Sequence, residues 1–199
     1  MLANHFRSHW HEQIAIQYDQ PSVELSGQLV REITEEFPSF RIVSKDQSRF
    51  SRLIDVLLRL VTLGGQNQYL THYHTVIGNT LYVPLSWGSA SDVDRAILLR
   101  HERVHLRQRR RFGNVLMTFL YLVPFFPIGL AYGRARLEWE AYAETLRATA
   151  ELCGLQAVRA STLRDKIVGR FTGSAYGWMW PFQRQVNRWY DRVILELEK

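Results

Sequence analysis

Residues 98–108 read Leu-Leu-Arg-His-Glu-Arg-Val-His-Leu-Arg-Gln. His101 and His105 stand four apart, so on a helix their rings project from one face about one turn from each other. That spacing suits two imidazole ligands on one tetrahedral zinc ion. Glu102 lies beside His101 on the same flank, placed to take a proton from a zinc-activated water rather than to ligate the metal. The expected chemistry is hydrolysis, with Glu102 as general base. Leu98, His101, Glu102 and His105 share one stripe of this helix. Arg100, Arg103, Arg107 and Arg110 share another, which reads as solvent-facing.

A third protein ligand is needed. No histidine follows His105, which leaves carboxylates, Cys153, or the upstream His72 and His74. The segment Arg136-Leu-Glu-Trp-Glu-Ala-Tyr-Ala-Glu144 offers two carboxylates that helix geometry separates. Glu140 aligns with Glu144, Arg147 and Glu151, the look of a solvated face with internal ion pairs. Glu138 aligns instead with Ala141, Tyr142, Thr145 and Thr149. A carboxylate on that less charged flank needs a partner, and zinc would serve. Glu138 is therefore favoured over Glu140. His72 and His74 alternate on a strand and read as ordinary hairpin side chains.

With these residues in place, the pattern His101-Glu-Arg-Val-His105, followed about thirty residues later by Glu138-Trp-Glu-Ala-Tyr142, resembles that of the gluzincin metallopeptidases. The similarity is to the minimal gluzincins and to the membrane-embedded housekeeping and prenyl-protein-processing peptidases, and it covers about residues 70–150. It implies a zincin-like fold, Glu138 as third zinc ligand, and peptide-bond hydrolysis of a protein or peptide whose strand pairs with a sheet edge. The sequence departs from the family pattern in three places. Arg103 and Arg107 stand where uncharged or apolar residues are usual. Tyr142 stands where an acidic or amide residue commonly supports a ligand histidine, so its hydroxyl is the candidate for that support. Tyr142, Tyr176 and Trp178 are also candidate donors to an oxyanion, beside the plainer role of packing.

The elements that must position these residues are legible as helices around one hairpin. Helical patterns run from Pro21 and Ser22 to about Phe37, from Ser48 to Leu63, from a Ser91 cap through about Arg110, and from Arg134 to about Leu152. Two more follow near 161–171 and 181–198. Phe40 to Val43 suggests a short strand. Tyr69 to Ile77 and Thr80 to Val83 flank Gly78-Asn79, a hairpin signal. The expected class is α+β, mostly α, with the two motif-bearing helices packed on a small antiparallel sheet. We expect a single domain over 1–199, with its motif-bearing core at about 70–152 and C-terminal helices at 160–198.

The chain has 199 residues, is 46% hydrophobic and 22% charged, and carries a net charge of +6. This describes a globular domain and is less basic than a dedicated nucleic-acid binder. Nucleic acid is not the expected partner. One cysteine, Cys153, permits no intrachain disulfide and fits a reducing, cytoplasmic setting. Residues 1–10 lack the apolar core of a signal peptide. Residues 112–133 carry no charge. As one spanning helix they would carry Glu138 roughly 30 Å from His105. If Glu138 is a ligand, this segment must turn back, with Pro124-Phe-Phe-Pro127 as the reversal. We expect a buried or partner-covered hairpin; contact with an anionic membrane through this segment and its flanking arginines is the other reading. The rival functional readings are a non-catalytic zinc domain and a basic module that binds nucleic acid or anionic membranes.

Overall fold

The computed structural model describes residues 24–45, 74–122, 131–173 and 179–199. Their order is α1 (Leu25–Glu36), β1 (Arg41–Ser44), β2 (Thr75–Ile77), β3 (Thr80–Val83), a 3-10 turn (Leu85–Ser89), α2 (Asp92–Leu122), α3 (Tyr132–Cys153), α4 (Leu155–Arg159), α5 (Ser161–Thr172) and α6 (Gln183–Leu197). The protein is mostly helical with one small sheet. The helix expected over 48–63, the first part of the strand expected from Tyr69, and the Pro124–Pro127 reversal fall outside the described residues.

The sheet has the order β1-β3-β2. Gly78, at φ 62°, makes the turn of the expected hairpin, where a side chain would be strained, and β2 and β3 pair antiparallel with Ile77 opposite Thr80. The sheet is not wholly antiparallel, however. β1 adds to the other edge of β3 in parallel, with Ile42 opposite Leu81. A hairpin announces itself locally, but a parallel pairing across some forty residues leaves no local mark.

Two cores sit either side of the motif-bearing helices. One joins α1, the sheet and α2 through Ile33, Phe37, Phe40, Leu81, Val83, Leu99 and Leu106. The other gathers α3, α4, α5 and α6 around Leu146, Val158, Ile167, Phe171, Val186 and Tyr190. Between them α2 and α3 form the most extensive helix pair. Ala135, Ala141 and Ala148 are fully buried on α3, and such small side chains let helices approach closely.

Ser91 caps α2 as the sequence suggests: its Oγ accepts from the Asp94 N–H at 3.0 Å. Asp92 caps another helix instead. Its carboxylate accepts from the backbone N–H groups of Leu25 and Ser26, at 2.6 and 3.2 Å, and from the Ser26 hydroxyl at 2.5 Å. Side-chain satisfaction of these orphan donors fixes where α1 starts.

The arginine stripe of α2 faces solvent only in part: Arg107 and Arg110 are exposed as expected, Arg100 and Arg103 are half-buried, and all four meet carboxylates. Arg103 donates to Glu32 and Glu36 on α1, and Arg107 and Arg110 donate to the same Glu36 carboxylate. Arg100 turns to Glu144 and Glu151 on α3. The face of Glu140, Glu144 and Glu151 is thus also an interhelical seam; within it Arg147 still pairs with Glu144 at 3.7 Å. Periodicity identified both charged faces but not the opposite charges brought against them.

Glu36 is held down to about 2, below its ordinary 4.5, by hydrogen bonds from Arg107 and Arg103 that outweigh the opposing cost of burial. Asp92 is also held below its usual range, by hydrogen bonds from Ser26 and Leu25 against the opposing effect of burial. Carboxylates depressed in the folded state contribute fully above their unfolded pKa and lose that contribution as pH falls through the folded value. We therefore expect acidification from 4.5 toward 2 to loosen α1 from α2. Amide exchange in α1 measured against pH should show protection lost over that window; protection constant down to pH 2 would contradict the assignment.

The uncharged segment does turn back. Gly113, at φ 77° and ψ 162°, breaks α2 into two arms, using a conformation open to glycine. Gly133, at the start of α3, lies so close to Leu120 that a Cβ there would meet Leu120 Cδ2 at 2.9 Å. The arm is not buried within the chain over its whole length, which leaves the partner-covered form of the expectation open. Val115, Leu116 and Phe119 are exposed, and only Met117 among the described apolar side chains of the second arm is buried. No helix of the described residues is long and apolar enough to cross a membrane.

Candidate metal centre

His101 and His105 project from one face of α2 and Glu138 from the facing turn of α3. All three are buried. The His101 and His105 Nε2 atoms are 3.2 Å apart. Glu138 Oε2 lies 3.7 Å from His101 Nε2, and Oε1 lies 3.7 Å from His105 Nε2. One donor atom from each residue falls within 4.8 Å of the others. Metal–ligand bonds of about 2.0–2.1 Å at tetrahedral angles put neighbouring donors roughly 3.3 Å apart. The observed separations are close to that value.

The protons decide whether a cation fits. Thr145 Oγ1 donates to the Ala141 carbonyl at 3.2 Å, which uses its only proton. It lies 2.9 Å from His101 Nδ1, and the Ala141 carbonyl also accepts from the His101 ring, which assigns the hydrogen to that nitrogen. Gln108 Nε2 donates to the Leu137 carbonyl at 3.0 Å and to Glu140 Oε2 at 2.9 Å. This orients its Oε1 toward His105 Nδ1 at 2.9 Å, and that nitrogen is a donor as well. Both imidazoles thus present an Nε2 lone pair toward the other and toward a carboxylate. A proton shared between the two rings does not reach Glu138, whereas one divalent cation reaches all three. Burial, reinforced by the neighbouring His105 and His74, holds the His101 pKa well below its ordinary value. The neutral ring is the ligating form. The three residues fit a metal ion.

Glu102 is buried beside the cluster without belonging to it. Burial pushes its carboxyl up to about 7, with the Glu138 charge adding to the effect and His105 and Lys45 opposing it. A group poised there can accept and return a proton near neutral pH.

The support of the ligand rings comes from residues that the motif does not announce. Thr145, one turn past Tyr142, contacts His101 Nδ1. Tyr142 packs edge-on against the His101 ring, with centroids 4.8 Å apart, and leans on Phe171. Thr145 was visible as a neighbour of Glu138 on the same stripe. Gln108, three residues past His105, supports the second ring and ties it to Glu140, so the charged flank of α3 takes part in the outer layer. Tyr176, Trp178 and His72 lie outside the described residues. His74 is not in the metal group; it packs against Trp87 at 5.8 Å, and burial pushes it down to about 4. Lys45 was not singled out from the sequence. It sits at the end of β1, wholly buried, with Nζ donating to Thr75 Oγ1 at 3.2 Å, and its charge reaches both Glu102 and His74. A cavity of about 360 Å³ lined by Leu29, Arg100, Arg103 and Glu144 lies at the arginine seam and does not include the ligands.

The outer layer makes a testable contribution. Gln108→Leu and Thr145→Val should each weaken metal affinity by about 10- to 100-fold, since each leaves a ligand ring without the acceptor that orients it. Competition against a chromophoric chelator reads this directly. A change under twofold in both variants would show that these contacts do not hold the rings.

No family model, no curated protein and no solved structure matches the chain.

Proposed function

We propose that the chain is a zinc-dependent peptidase in which His101, His105 and Glu138 hold one zinc ion and Glu102 is the catalytic base. The observation that carries this reading is the convergence of two imidazole nitrogens and a carboxylate from two helices, beside a second buried carboxylate, Glu102, that burial pushes up to about 7. Two nitrogens and one oxygen form a donor set of the catalytic zinc type, with a coordination position left for substrate. Bound there, zinc supplies Lewis acidity toward water and toward a scissile carbonyl oxygen.

The protein's own residues do the rest. Thr145 and Gln108 fix both rings with Nε2 inward. Glu102 accepts a proton from the attacking water and delivers it to the leaving amine nitrogen, which closes the proton balance of amide hydrolysis. Lys45 adds positive charge near the site where negative charge develops. Tyr142 keeps the His101 ring in place by packing. The zincin-like fold and the gluzincin relationship belong to this proposal, and so does a protein or peptide substrate.

The rival reading of the run Arg107–Arg111 as a nucleic-acid or membrane contact is less favoured, because Arg107 and Arg110 already pair with Glu36. A purified sample supplied with zinc should cleave an unstructured protein such as reduced casein, and a chelator should stop it. Cleavage unaffected by the chelator would exclude the proposed role of the metal.

A further inference from the structure

On another face of α3, Arg136 and Trp139 meet Gln185, Arg188, Trp189 and Arg192 of α6 around a groove of about 260 Å³. Three of its six lining residues are arginines. Arg100, Arg103, Arg107, Arg110, Arg159 and Arg164 each meet a carboxylate. Among the described residues, Arg136, Arg188 and Arg192 have no such partner within 4.0 Å, and all three are exposed. Asp191 of α6 is taken by Arg164 and Glu198, just past the helix, by Arg159, while Glu196 makes no ion pair within 4.0 Å among the described residues. Three guanidinium groups therefore line one groove without a carboxylate at ion-pair distance; Glu140 and Glu196 stand one helical turn from Arg136 and Arg192.

The chemistry of an occupant follows from the spacing and from the walls. Arg188 and Arg192 are one helical turn apart, about 6 Å along the axis. An extended polypeptide repeats the same side every second residue, about 6.6–6.8 Å. Carboxylates at alternate positions would meet the two guanidinium groups in register, and the planar fork of Arg binds carboxylate in a bidentate manner. Base stacking has less to work with, because both indoles are already committed to the core. Trp139 stacks on Phe171 with centroids 6.1 Å apart and meets Trp180 edge-on, and Trp189 leans on Phe171 and Tyr190. They provide an apolar wall for aliphatic stems. The Gln185 Oε1 accepts from Trp180 Nε1 at 3.0 Å, which leaves its NH₂ group as a further donor at the groove.

We propose that this groove docks an acidic, extended segment of a polypeptide partner, with alternate carboxylates on Arg188 and Arg192 and Arg136 flanking them. The site does not depend on the metal centre. A fluorescent peptide carrying Glu at alternate positions should bind the full chain, measured by anisotropy, with affinity falling as salt rises. The same peptide with Gln in place of Glu should bind at least tenfold more weakly. The double variant Arg188→Gln, Arg192→Gln, which changes exposed side chains only, should weaken the Glu peptide at least tenfold, while chelation and Glu102→Gln should leave binding unchanged. Equal binding of the Gln peptide, unchanged binding by the double variant, or tighter groove-dependent binding of oligodeoxythymidylate would each overturn the proposal.

Discussion

Glu102→Gln should lower proteolysis by about 10²- to 10⁴-fold while leaving the metal in place, the range associated with loss of a positioned acid–base group. Glutamine keeps the shape of the side chain and its hydrogen-bonding capacity but cannot take a proton. Glu102 is not one of the three converging ligands, so its neutralisation does not remove a donor. Burial already disfavours its charge, which pushes the carboxyl up to about 7. The variant should therefore fold at least as well as the parent. Cleavage rates on an unstructured substrate, with metal content measured on the same samples, separate the two readings of Glu102. Activity within threefold of the parent would remove it as base, and metal lost along with activity would make it a ligand.

The second large effect is on stability. In the folded chain two Nε2 lone pairs and a carboxylate are held together in a buried space, an arrangement that favours a cation. The unfolded chain has no such site. A ligand that binds only the folded form adds roughly 4 kcal/mol to the unfolding free energy at a thousandfold excess over its Kd. For a domain of this size that corresponds to a rise in Tm of about 8–16 °C. Acid should erode the gain, because protons compete for both imidazoles and for the carboxylate. Thermal unfolding with zinc and with a chelator measures it. Glu138→Ala should show little of the shift, and a parent Tm indifferent to zinc would argue against a preformed site.

How far the sequence carries the reader depends on the range of the interaction. His101 and His105 were legible because four residues make one helical turn, and Glu138 because its stripe was less charged than that of Glu140. Requiring Glu138 to reach the same ion also forced residues 112–133 to reverse, and the contact of Gly133 with Leu120 bears this out. What periodicity cannot supply is the identity of the neighbour. Arg103 and Arg107 looked like departures tolerated in solvent, yet they meet Glu32 and Glu36 some seventy residues earlier in the chain. The parallel pairing of β1 and the buried charge of Lys45 are hidden for the same reason. Thr145 and Gln108 stood in plain sight, but only the course of their hydrogen bonds reveals that they set the tautomers of both histidines.

The most direct test of the metal centre is elemental analysis of the purified full chain after zinc loading and gel filtration, with Glu138→Ala beside it. Close to one zinc per parent chain is expected, and a small fraction of that in the variant, with both proteins folded. A folded parent that emerges free of metal, or a variant that retains as much zinc as the parent, would contradict it.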